Sequence, residues 1–543
     1  MANQYFYDCR PKTVFCRNLF SKTSRPGLIG LKELLLAVHE KWQKEREELL
    51  RSAAEIAAVL SRTSKETMQP DEQLLSDATH HYLQIYDSKY GGFGDAPKFP
   101  TPHNLLFLMQ QFQKHGDHDL MDMAETTLTK MYKGGIFDHI GYGFCRYSTD
   151  RFFLVPHFEK MLYDNALLIS AYCKAYEITK KAFYQDVAEK IAYFFLSRMT
   201  SDKGGFFSAL DADSDGVEGK YYLFDPDEII GLLGKEDGTS FNMYYGIRKE
   251  GNFEGKNIPN LLHADSLTDQ FDSLLPIIRK YRDTRFNLHT DDKILTAWNS
   301  LMITALCALY RISRKKVYLQ VALKAQRFIE KWLCQEDTLY VSYRDGKHGE
   351  NGFLDDYSNY IFALIALYDA TFDETFLNRA MKLLQKTISI FFDFEAGGFY
   401  LYGKDHETLL FRPKECYDGA MPSGNSVMAN CLVKLNSLFP EAELEDVLQK
   451  QLGYLCGEAN SYPVGYAMFL LALSDTFNPP TTLTVVLKKE EDLNELPFIV
   501  PLDWRTKVLY EQTEQYRLLS DQTTYYICRN HSCLPPTNDI TVS

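Results

Sequence analysis

The chain has 543 residues, 45% of them hydrophobic and 14% aromatic, and its 35 Tyr and 36 Phe exclude disorder as the main state. That length supplies a sizeable core and more than one domain. Lys and Arg number 59 against 73 Asp and Glu, and the resulting net charge of −14 excludes a protein built to hold a polyanion, so no nucleic-acid partner is expected.

The first 25 residues lack the apolar run of a secretory signal. They carry Arg10, Lys12, Arg17, Lys22 and Arg25 against one acid, Asp8. A mitochondrial presequence shares that composition, but a frayed basic start of a soluble, cytoplasmic protein is the preferred reading. No run reaches the roughly 18 apolar residues of a membrane span, so no membrane partner is expected. The 11 Cys include no C-x-x-C, and they read as reduced, buried small hydrophobes.

From about residue 72 to 475 two helix types alternate. Amphipathic helices are predicted at 72–88, 121–133, 181–199, 315–334, 374–392 and 443–456. Helices apolar nearly all round are predicted at 103–113, 162–177, 297–310, 357–370, 425–438 and 465–474. The second type must be buried on every side. Six of each, strictly alternating, predict a mainly α fold: an (α/α)6 barrel with an inner and an outer ring. An open helical solenoid is the runner-up.

Gly-Gly-apolar turns follow the outer helices: GGFGD at 91–95, GGIFD at 134–138, GGFFS at 204–208 and GGFYL at 397–401. Glycine pairs supply the φ > 0 conformations that end a helix and open a hairpin. These loops therefore share one face, at the N-termini of the inner helices, and the site is expected there.

The loops concentrate the residues capable of chemistry. As catalytic candidates they offer His157, Glu159, Asp138, Asp211, Asp213 and Asp356. Substrate-binding candidates are Asp95, His139, Arg146, Tyr163, Asp164, Asp292, Trp298, Asn299, Asp355, Tyr357, Asp418, Ser423 and Asn425. Carboxylates and amides hydrogen-bond sugar hydroxyls, and aromatic faces stack on sugar rings. Glycosidic cleavage needs two carboxyls of different pKa, whereas epimerisation beside a carbonyl needs a base near neutral pH. His157 beside Glu159, entering an apolar helix, is the best acid/base candidate. For Asp164, Asn299, Asp356 and Asn425, helix capping is the competing role.

DADSDG at 211–216 matches the first half of a calcium-binding EF-hand loop, but position 12 is Tyr222 rather than Glu. The segment reads as a β-hairpin over the funnel mouth. No cofactor or metal is expected. At the C-terminus TLTVVL and TTYYIC read as strands, and Cys528 and Cys533 as reduced thiols.

Long segments in order, among them GGFGDAPKFP, DHIGYGFCRYSTDRFFLVPHFEKMLYDNALL, DADSDGVEGKYYLF, DDKILTAWNSLMI, FLDDYSNYIFALIALYDATF and DGAMPSGNSV, resemble the YyaL/spermatogenesis-associated protein 20 family. The resemblance runs from about Ser24 to the end. It implies a thioredoxin-like domain fused to a six-hairpin barrel similar to N-acylglucosamine 2-epimerases and several glycosidases. It divides the chain into a remnant of the thioredoxin-like domain and linker helix (1–65), the barrel (66–478) and a small α/β segment (479–543). The implied function is a carbohydrate-active protein that acts on or binds a sugar in the funnel. The alternatives are a binding or regulatory protein associated with spermatogenesis, and a redox role of a longer form. Epimerases of this type use two His at opposing inner-helix ends; His157 matches one, with His348 and His406 available as the second.

Overall fold

The computed structural model describes residues 4–7, 13–17, 22–24, 29–60, 67–407, 411–529 and 532–540. Arg10, Lys12 and Arg25 of the basic start, together with Cys9 and His531, lie outside the described residues. Strands β1 (Gln4–Tyr7) and β2 (Thr13–Arg17) form an antiparallel hairpin, and helices α1 (Leu31–Lys44) and α2 (Arg46–Leu60) follow. Leu34 of α1 is buried, but Leu35 and Leu36 are exposed.

Twelve helices then alternate as the hydrophobic pattern predicts. They are α3 (Gln73–Ile85), α4 (Pro102–His115), α5 (His118–Lys133), α6 (Leu162–Thr179), α7 (Ala182–Arg198) and, after the inserted α8 (Pro226–Leu233), α9 (Lys235–Tyr244) and α10 (Leu275–Arg285), helix α11 (Thr296–Ser313). The series ends with α12 (Lys316–Trp332), α13 (Leu354–Thr371), α14 (Glu374–Phe391), α15 (Gly424–Leu438), α16 (Ala442–Ala459) and α17 (Ala467–Phe477).

The apolar helices pack in one cycle: α4 on α6, α6 on α11, α11 on α13, α13 on α15, α15 on α17, and α17 back on α4. That last contact closes the ring and excludes the open solenoid. Each inner helix also packs on the outer helix that follows it, and α17 packs on α3. Burial explains the sorting. Helix α12 buries one stripe (Tyr318, Ala322, Ala325, Phe328, Ile329), as an outer helix must. Helix α13 buries residues all round, from Leu354 and Asp356–Ile361 to Tyr368.

The turns share one hairpin form, with bridges Tyr86–Phe93, Phe137–Phe144, Thr200–Phe206 and Phe392–Phe399. The second corrects the expectation for GGIFD at 134–138: Gly134 and Gly135 precede the hairpin and have no positive φ, and Tyr142 and Gly143 supply the left-handed conformation instead. Gly398 (φ +78°) is irreplaceable in the last, since a Cβ would also lie 2.6 Å from the Tyr454 ring. An Asn in the first turn of the next inner helix clamps three of the four. The Asn165 side chain bonds both main-chain groups of Phe144, Asn299 those of Phe206, and Asn425 those of Phe399.

The C-terminal piece is a mixed sheet. Strands β3 (Thr482–Val486) and β4 (Arg505–Leu509) are parallel, β5 (Thr524–Arg529) is antiparallel to β3, and β6 (Ser532–Cys533) pairs with β5. With α18 (Leu496–Ile499) it docks on the C-terminal ends of α11, α13 and α15. Tyr368 of α13 donates to the Thr506 carbonyl at 3.0 Å. Cys528 and Cys533 are a disulfide, which corrects the expectation of reduced thiols: β5 and β6 bring them opposite one another, with Cα atoms 4.0 Å apart. Among the described residues Cys145, Cys173, Cys307, Cys416, Cys431 and Cys456 are free and buried, and Cys334 is free and half-buried. No described helix is long and apolar enough to cross a membrane.

Candidate active site at the inner-helix rim

Asp138, expected as a catalytic carboxylate, is a buried structural anchor. Its Oδ2 accepts from Lys160 Nζ at 2.7 Å, and its Oδ1 accepts from Arg282 Nη1 at 2.9 Å and from the N–H groups of Ile140 and Gly141 at 3.0 Å. Burial alone would raise its pKa, but the Arg282 and Lys160 charges hold it far below the usual carboxylate range. The arrangement recurs. Lys98 Nζ donates to Asp87 Oδ2 and the Gly91 carbonyl, Lys160 to Asp138 and the Tyr142 carbonyl, and Lys414 to Asp393 and the Gly397 carbonyl, all at 2.6–2.8 Å. Three glycine turns are thus stapled by the same Lys–Asp pair, and turnover does not require three copies. His139 is also withdrawn from a substrate: it is buried against Tyr132 and Phe137, its Nε2 is 3.1 Å from the Gly134 carbonyl oxygen, and burial lowers its pKa to about 4.

His157 and Glu159 do converge. His157 Nε2 lies 3.5 Å from Glu159 Oε2, and Nδ1 lies 2.6 Å from Glu218 Oε1. Glu218 stands on a short hairpin, Asp213–Ser214 paired with Val217–Glu218, which reaches over the site as the sequence predicts. Tyr147 stacks on the imidazole at 5.2 Å. Arg146 Nη1 holds Glu159 Oε2 at 3.2 Å. The hydrogen bond to Glu159, then that to Glu218, raises the His157 pKa despite partial burial. The site stays open: the His157 and Glu159 side chains are each 27% exposed.

The rim continues through contacts between helix starts. Tyr163 of α6 meets Trp298 of α11 edge to face at 4.8 Å. Asp164 beside it is buried, with no hydrogen-bond partner on Oδ2, and burial pushes its carboxyl well above the usual range. Asp356 of α13 accepts from Ala297 N–H of α11 at 3.1 Å and from Phe353 N–H at 2.9 Å. It caps two helices, and burial raises its pKa to about 8. Its neighbour Asp355 is only half-buried and faces Gly424 at the start of α15; desolvation and Glu415 raise it to about 6. Asp418 accepts from Ser423 N–H of that cap and from Met468 N–H of α17. Burial raises Asp418 to about 6. Ser423 caps α15 by accepting from Ser426 N–H. His103, at the start of α4, is fully buried and held near 4, hence neutral.

Other candidates serve structure or solvent. Asn299 and Asn425 are the loop clamps described above. Tyr357 is buried and donates from its hydroxyl to the Asp337 carbonyl while accepting from Leu339 N–H at 3.0 Å. Asp95 is exposed, Asp292 pairs with Arg344 at 2.7 Å, and Asp211 accepts from Asp213 N–H within its own turn. His406 stacks on Phe353 at the start of α13, with Nε2 3.2 Å from the Asn351 carbonyl oxygen, whereas His348 stacks on Tyr340 and is exposed. Sequence reasoning left Glu218 and Arg282 out of the site set. Each comes from an excursion far along the chain, and spacing alone carried no sign of either contact.

No family model matches the chain. The human spermatogenesis-associated protein 20 is 28% identical over 94% of this chain and 74% of its own length. The mouse protein of that name is 31% identical over 75% of this chain and 59% of its own. An uncharacterized protein of Caenorhabditis elegans is 29% identical over 87% and 72%. Solved structures with a related fold include the cellobiose 2-epimerase of Spirochaeta thermophila (12% identity, TM-score 0.45, 70% of this chain and 83% of that one). A family 76 glycoside hydrolase from a bovine Bacteroides thetaiotaomicron strain gives 10% identity and TM-score 0.46, over 75% and 76%.

Proposed function

We propose, from the similarity to spermatogenesis-associated protein 20 over most of the chain and from the rim geometry, a carbohydrate-acting protein whose site lies at the inner-helix rim, with His157 as its proton-transferring group. One observation carries the reading: a partly buried imidazole, still open to solvent, between two carboxylates, Glu159 and Glu218, stands on a loop leading into α6, where Tyr163 and Trp298 form an aromatic wall. Glu159 and Glu218 orient the ring and stabilise its protonated form. Protonated, His157 is an acid able to protonate a carbonyl or leaving-group oxygen; above its raised pKa it is a base for a C–H beside a carbonyl. Arg146 fixes Glu159, so the carboxylate is a positioning group for the imidazole.

A second reading is hydrolysis. It is favoured by two carboxyls held protonated toward neutral pH, Asp164 by burial and Asp355 by burial and Glu415, since such groups serve as general acids. One experiment separates the readings. The full chain is incubated in heavy water with aldoses, ketoses, N-acylhexosamines and disaccharides, and followed by NMR. Deuterium entering beside a sugar carbonyl, and lost in His157→Ala, supports proton transfer by His157. New anomeric signals that persist in His157→Ala and vanish in Asp355→Asn support hydrolysis. A folded sample that changes no sugar in the panel refutes both, and leaves binding without turnover.

A further inference from the structure

A cavity of about 570 Å³ runs down the barrel axis from beneath the rim to the C-terminal sheet. That volume is in the range of small-molecule sites. On α11 its lining extends from Leu301 to Arg311, ten residues or about 15 Å at 1.5 Å per residue. Its two ends differ in chemistry.

The upper wall is apolar, with Leu167, Leu301, Phe362 and Leu471 facing the lumen. The polar residues among them spend their donors on the protein. Ser170 and Thr304 hydroxyls bond the carbonyls one turn back, and the amide nitrogens of Asn359 and Asn430 do the same. Such a wall has few donors for sugar hydroxyls and suits an apolar body.

The lower end is cationic, in a chain whose net charge is −14. The lining includes Lys114, Lys174, Arg311, Lys434 and Arg505 but only three carboxylates, Asp369, Asp475 and Asp503. Lys434 pairs with Asp369, while Lys114 and Arg505 share the single Asp475. Lys174 pairs with Glu177 at 2.8 Å. Arg311, itself buried, has no carboxylate partner among the described residues. Its Nε and Nη2 donate to the carbonyls of Pro497, Val500 and Pro501 at 2.8–3.2 Å. A buried guanidinium whose hydrogen bonds go to carbonyls, with the carboxylates of Asp369, Glu177 and Asp503 acting on it from beyond ion-pair distance, at the end of a cavity, is a site that gains from an anion. Gln113 and Asp503 are the exposed lining residues and mark the opening.

We propose that this lumen is a second ligand site, separate from the rim, for an amphipathic anion: an acyl or alkyl chain against the leucine and phenylalanine wall, with a carboxylate or phosphate head between Arg311, Lys434 and Arg505. The proposal does not rest on the sugar reading. The full chain is titrated calorimetrically with decanoate, decyl phosphate, decanol and inorganic phosphate, each below its aggregation limit. Saturable binding of one decanoate or decyl phosphate per chain is expected, at least tenfold tighter than decanol or inorganic phosphate. The tighter of the two anions identifies the head group. Arg311→Gln should weaken binding tenfold or more. Because Arg311 also anchors the C-terminal sheet, Thr304→Trp is the second variant: it fills the lumen without touching a charge, and should abolish binding in a chain with unchanged circular dichroism. Decanol binding as tightly as decanoate, no saturable binding by the folded wild type, or wild-type affinity in folded Thr304→Trp would each overturn the proposal.

Discussion

Replacing Asp138 by alanine should unfold the protein more easily and should do so through charge. The change strands Lys160 and Arg282, whose side chains are 1% and 2% exposed, and leaves two buried N–H groups, those of Ile140 and Gly141, without their acceptor. Removing one partner of a buried ion pair costs about 3–5 kcal/mol. Each stranded N–H adds about 1–3 kcal/mol, less whatever water entry returns. A loss of at least ~4 kcal/mol is therefore expected in urea unfolding followed by circular dichroism. Gly141→Ala perturbs the same cluster from outside, because a Cβ there would sit 2.0 Å from Arg282 Nη2, and it should also destabilise. The pH dependence has a definite sign. Asp138 has a depressed pKa in the folded state, so its contribution is complete above the ordinary Asp value of about 3.9 and is lost as pH falls below it. The gap between wild type and Asp138→Ala should therefore shrink toward acid. A variant within about 1 kcal/mol of wild type at pH 7 would refute the staple and return Asp138 to the list of catalytic candidates.

Two further outcomes follow from the rim. Glu159→Gln and Glu218→Gln should each lower the pKa of His157, read from its ring resonances in an NMR titration, and the double variant should lower it further; an unmoved titration would sever His157 from both carboxylates. Asp356→Ala removes the acceptor for two helix-start N–H groups, so at about 1 kcal/mol each it should cost ~2 kcal/mol in stability, visible as a lower melting temperature; no change would return Asp356 from capping to chemistry.

The architecture was readable because it is written in period and count. Helix α13 is apolar on every face and α12 on one, and that contrast alone sorted all twelve barrel helices into rings. Glycine doublets told which rim carries the loops. The limit came with carboxylates. A loop Asp looks the same in sequence whether it meets a sugar or a lysine, and the anchoring of Asp138 is hidden because Arg282 stands 144 residues away on an inserted helix. The sequence does carry a clue: Asp87, Asp138 and Asp393 each precede a Gly-Phe pair by five residues and a lysine by 11 to 22, a spacing that recurs as a structural repeat does. His157 and Glu159 were legible since two residues apart on one extended segment share a face. The disulfide was not, because nothing in CRNHSC announces a tight hairpin.

The way the ring closes sets a schedule for making the protein. Helix α3, the first of the barrel, packs on α17, the last, and Tyr82 donates to the Val464 carbonyl across 382 residues of chain. At roughly 5–20 residues per second of synthesis, that partner emerges about 20–80 s later. Through that interval the ring stays open beside α3 and α4, whose buried residues include Leu74, Ala78, Leu105 and Leu108. The last hairpin thus acts as the clasp of a necklace, and a ribosome that stalls before residue 477 releases an open strand with its greasiest edges at both ends.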